Sequence, residues 1–108
     1  MTKCLKVALK YPHLLELPIK YSNISSPDER RLVRETYIKL QEGKCMYCGG
    51  NLYDKPPSRI ANKPVKESLF PQGFFKWPIH IQHCHKTGMT EGVVHAKCNA
   101  ILWQYHGR

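Results

Sequence analysis

The sequence predicts a small α+β domain, a strand–turn–strand–helix unit with an added N-terminal helix. Three observations predict it. Two half-sites of identical spacing, Cys45-x-x-Cys48 and His95-x-x-Cys98, flank a long connection. Ile79 to His83 and Glu91 to Val94 have strand composition around a Lys86-Thr87-Gly88 turn. Ser26 to Gly43 carries a helix start, an apolar stripe and a stop. With 108 residues the chain makes one domain whose modest core gains from a cross-link.

Taken in order, residues 1–43 form an arm and a helix. Leu5 to Lys10 alternates like a short strand, and Pro12 and Pro18 break the next stretch into an irregular arm. Ser26-Pro27-Asp28-Glu29 then places an N-cap, a first-turn proline and two acids where the helix dipole favours them. Glu29 completes a capping box with Ser26. The helix runs to about Glu42, and Gly43 stops it. Leu32, Val33, Thr36, Tyr37 and Leu40 make the buried stripe. Arg30, Arg31 and Arg34 lie on the outer side as a solvated face.

Residues 44–108 form the stapled unit, and the whole packs as one body. Asn51 to Leu69 has prolines, lysines and no periodicity, so it reads as a loop. Lys55, Arg59, Lys63 and Lys66 there either track phosphates or keep the loop soluble. Phe70, Phe74, Phe75 and Trp77 read as core rather than base-stacking residues, because no sheet platform for stacking is evident. In the first strand Ile79 and Ile81 face one way, His80 and Gln82 the other. The last helix spans Ala96 to about Tyr105, turns Ala100, Ile101 and Trp103 inward and ends at Gly107. His13 and His106 stand outside these motifs.

The paired half-sites have metal-ligand spacing. Cys45 and Cys48 precede Gly49-Gly50, which lets the backbone fold tightly under the sulfurs. With His95 and Cys98 they make a closed Cys3His set, which suits a structural zinc ion rather than a catalytic one. Cys84 is an alternative fourth ligand to His95, and Cys4 is a free or buried thiol. The odd total of five cysteines and the absence of a secretory leader argue against disulfides.

Charge narrows the partners. Seventeen Lys and Arg oppose eight acids, for a net +9. Such a balance favours a polyanion: DNA, RNA or an acidic protein. No apolar run approaches a membrane span and no lipidation motif is present, so a membrane is excluded as a partner and a reducing cytoplasmic location is expected.

HIQHCHKTG followed by EGVVHAKCN, together with KCMYCGG, resembles the HNH (ββα-metal, His-Me finger) endonucleases, in particular the phage endonuclease VII-like recombination endonucleases. The likeness covers Lys44 to Gly50 and Ile79 to Leu102, under half of the chain. It implies a zinc-stapled ββα-metal core and metal-dependent hydrolysis of DNA phosphodiesters, by a monomer or homodimer in the cytoplasm, the host's cytoplasm for a phage-encoded chain. By position, His83 resembles the general base that deprotonates the attacking water. Asn99 resembles the helix-borne ligand of a catalytic Mg²⁺ or Mn²⁺. His80 and His85 resemble flanking histidines that steady the phosphate, and His95 stands where the family has a zinc cysteine. One wall of the resulting pocket would be His83 and the other Asn99.

Gln82 departs from the pattern, which has a metal-binding aspartate there. An amide oxygen ligates a hard cation without adding charge. Gln82 ligates with phosphate oxygens completing the charge, or His80 compensates with a softer ion, or the site has lost catalysis and kept binding. The alternatives to a nuclease are therefore a catalytically inactive zinc-knuckle nucleic-acid-binding protein and a phage adaptor that binds another protein.

Overall fold

The described residues of the computed structural model, 17–107, form a two-stranded antiparallel sheet and three helices. Cys4, the alternating Leu5 to Lys10 and His13 lie outside the described residues. In chain order the elements are α1 (Pro27–Leu40), α2 (Ser58–Ala61), β1 (Ile79–His83), β2 (Thr90–His95) and α3 (Ala96–His106).

Helix α1 begins as its cap chemistry dictates. Ser26 Oγ accepts from the Glu29 amide at 3.1 Å, and Glu29 Oε1 accepts from the Ser26 amide at 3.1 Å. The same carboxylate takes the Ser25 amide and hydroxyl, which explains why it is buried without strain. Leu32, Val33 and Tyr37 are buried against the sheet, and the Tyr37 hydroxyl meets Thr90 Oγ1 at 2.7 Å. Leu40 was expected in this stripe but is 68% exposed. It sits on the last turn, where Gln41 makes the attachment instead. Gln41 Oε1 accepts from Val93 N at 2.8 Å, and its Nε2 donates to the carbonyl of Val93 at 2.9 Å. A side-chain amide thus pairs with the outer edge of β2 as a third strand would.

Strand β1 pairs with β2 from Ile79↔His95 to Gln82↔Gly92, then slips to His83↔Thr90. Glu91 is the extra residue of this bulge. The backbone of Ile19 bonds to that of Thr90, and Tyr21 bonds to Gly88, so the end of the arm borders the turn. Val93, Val94, Cys98 and Ile101 lie at the centre of the core, which Ile24, Leu32, Val33 and Tyr37 share from the N-terminal side.

Two further expectations need correction. The 51–69 connection is not featureless: α2 buries Ile60, and a 3-10 turn follows at Glu67–Leu69. Four residues are too few to show a period. Trp103 does not point inward but is 43% exposed, because α3 turns Cys98, Ile101 and Leu102 to the core and leaves Asn99 and Trp103 together on another face. Among the described residues no helix is long and apolar enough to cross a membrane.

Candidate functional site

The knuckle and the β2–α3 junction bring Cys45, Cys48, His95 and Cys98 together, with all four ligand atoms within 4.8 Å of one another. His95 Nδ1 lies 3.4 Å from Cys48 Sγ and 3.6 Å from Cys98 Sγ. Zinc–sulfur and zinc–nitrogen bonds of ordinary length, at a tetrahedral angle, set sulfur and nitrogen about 3.6 Å apart. The geometry therefore fits one tetrahedral metal ion. His95 Nε2 lies 2.8 Å from the Asn51 carbonyl and 3.0 Å from that of Asp54, which fixes its proton there and leaves Nδ1 for the metal. A hydrogen bond from Cys98 holds the Cys45 thiol down to about 4, while that same contact and burial push Cys98 up. Three clustered thiols that cannot all ionise alone are the donors a cation would deprotonate. The cluster takes His95 as its fourth member; Cys84 lies beyond the other end of β1.

His80, opposite Val94, lies near the start of β1, whereas His83 and His85 lie at and beyond its far end. Asn99 Nδ2 lies 3.1 Å from His80 Nδ1. The amide nitrogen can only donate, so His80 Nδ1 is the acceptor and Asn99 Oδ1 is the atom left for a cation. Burial lowers the His80 pKa, backbone groups of Phe74 and Trp77 raise it, and Arg34 lowers it. Arg34, half-buried rather than fully solvated, is a positive charge that disfavours protonation of His80.

His83 stacks on Tyr21, with ring centroids 4.2 Å apart and 13° between planes. Its pKa is lowered by burial and by His85, and raised by Glu91. His85 is 4.8 Å from His83 and 6.3 Å from Trp103 between ring centroids. So His80 and Asn99 touch directly, whereas His83 is linked to the helix of Asn99 through His85 and Trp103. Neither the concavity beside Glu42, Lys44 and Tyr53 nor that beside Leu52, Phe75 and His95 is lined by His83 or Asn99.

Gln82 is only 2% exposed. Its Nε2 donates to the His83 carbonyl at 3.1 Å and to Glu91 Oε1 at 3.3 Å. With the nitrogen engaged twice, the oxygen is what this amide has left to offer. The bulge also sets the carboxylate of Glu91 beside Gln82. Glu91, Arg34 and Tyr21 are the site residues that motif reading missed. Gly92 inside a strand was the one signal of a bulge.

Neither family models nor the curated proteins nor solved structures returned a match to this chain.

Proposed function

We propose that the protein is a metal-dependent endonuclease that hydrolyses DNA phosphodiester bonds in the cytoplasm, with a structural zinc at Cys45, Cys48, His95 and Cys98. The observation that carries this reading is the contact of Asn99 with His80, on a strand whose end also bears His83 and His85. Neutral His83 takes the proton of the attacking water. His80 and His85 hold the phosphate. Asn99 Oδ1 and Gln82 Oε1 are the oxygens that would hold Mg²⁺ or Mn²⁺, with Glu91 adding negative charge nearby. When bound, that ion polarises the phosphate and stabilises the departing oxygen.

The test is nicking of supercoiled plasmid with Mg²⁺ or Mn²⁺. His83→Ala should lose about 10²–10⁴-fold in rate while keeping its zinc. No cleavage with either ion would overturn the proposal.

The burial of Gln82 favours a second reading, nucleic-acid binding without catalysis. It predicts salt-sensitive binding, no products and indifference to His83→Ala. Gln82→Asp separates the two: it wakes a dormant site but changes the metal preference of an active one.

A further inference from the structure

Of the aromatic residues expected in the core, Phe70, Phe74 and Phe75 are half-buried, and only Trp77 and Trp103 lie on the surface. Trp77 is 65% exposed, and Leu69 and Trp103 are also exposed. Phe70 joins this group to α3, with its ring 5.7 Å from Trp103 and 4.8 Å from Phe74. Phe74 in turn stands edge-on to His80 at 4.7 Å, while Trp103 stands edge-on to His85 at 6.3 Å. The rim of rings therefore starts at one candidate phosphate-holding histidine and ends at another.

Two lysines stand over exposed rings of the same stretches of chain, the 63–77 segment and α3. Lys76 Nζ is 5.4 Å from the Trp77 ring centre, and Lys63 Nζ is 4.5 Å from that of Tyr105. The segment 63–77 carries three lysines against one glutamate, in a chain of net charge +9. Exposed rings cost free energy in water unless a partner covers them. A protein partner of ordinary apolar kind would not call for this density of positive charge. A nucleic-acid strand with unpaired bases matches both features, since bases stack on rings while cations track its phosphates. A duplex keeps its bases stacked on one another and offers these rings nothing.

We propose that this aromatic–basic rim is a platform for unpaired nucleobases, so that the substrate is single-stranded DNA or DNA with an unpaired region. The inference rests on the proposed phosphate-facing role of the histidines and names the form of strand they receive. The two tryptophans of the chain are Trp103, within the rim, and the exposed Trp77, three residues past Phe74, so intrinsic fluorescence reports on Trp103 and on the segment that supplies Phe74.

The experiment uses the full chain without added divalent ions, titrated with oligo-dT or with a blunt duplex of equal length. Oligo-dT should quench the tryptophan emission and bind at least 10-fold more tightly than the duplex. Trp77→Ala, at a position too exposed to matter for folding, should weaken oligo-dT binding by roughly 5- to 100-fold. Trp103→Phe keeps a ring and should weaken it less than Trp103→Ala. Equal affinity for duplex, or binding without quenching, overturns the proposal. So does loss of exposure through self-association of the chain. If plasmid is never cut but oligo-dT still quenches, the nuclease reading fails and the platform stands. If plasmid is nicked but oligo-dT does not quench, the reverse holds.

Discussion

Three neighbours set the protonation of His83: Tyr21 covers its face, His85 brings a second imidazole, and Glu91 brings a carboxylate. Burial dominates and favours the neutral ring, so the base form persists to lower pH than for a free histidine of pKa about 6.5. The acid limb of the proposed cleavage should therefore fall below that value. His85→Ala removes a like charge and should move the limb to higher pH. Glu91→Gln removes the only opposing influence and should move it lower. Rates against pH, or NMR titration of the His83 ring where no cleavage is wanted, check both directions. Shifts of equal sign would show that Glu91 does not face this ring. Of these neighbours only His85 was legible in the sequence, because it shares a motif with His83. Tyr21 comes from across the fold, and Glu91 is delivered by a bulge that no spacing rule reveals.

At the scale of elements, legibility follows how local the cause is. The start of α1 was readable because its cap lies within four residues of chain. Ser26→Ala should cost about 1 kcal/mol in chemical denaturation. The attachment of α1 to the sheet was not readable, since it runs through Gln41 to Val93, 52 positions away. It also explains Gly92. A Cβ there would lie 2.6 Å from Gln41 Oε1 and 2.9 Å from Met46 Sδ. Gln41 cannot swing aside without freeing the Val93 N–H, although the Val93 carbonyl keeps its bond from the Met46 amide. Gly92→Ala should therefore destabilise by about 1–3 kcal/mol, read as a lower denaturation midpoint with unchanged slope. A neutral result would mean the amide clip is dispensable. The aromatic segment misled for the opposite reason. Rings are usually buried, and only the packing of α3 on its Cys98 and Ile101 face turns Trp103 outward.

For the whole molecule the question is what holds the two halves together. The metal-ligand set spans the fold: Cys45 and Cys48 follow α1, and His95 and Cys98 join β2 to α3. A domain of this size is usually stable by only about 5–15 kcal/mol. Structural zinc contributes about 10–16 kcal/mol in small zinc modules at pH 7. Removing the proposed zinc should thus unfold the chain rather than merely loosen it. Elemental analysis should find one zinc per chain, and a strong chelator should abolish the cooperative thermal transition seen by circular dichroism. Cys98→Ala should behave as the chelated protein does, whereas His83→Ala should melt like the parent. An unchanged transition after zinc is stripped would show that the core alone suffices. The same logic separates the two metals in any cleavage assay. Brief treatment that removes only a loosely held Mg²⁺ should be reversed by Mg²⁺ alone. Once the proposed zinc has gone, Mg²⁺ should restore nothing until zinc has first refolded the domain, because Asn99 sits on the helix whose start carries His95 and Cys98.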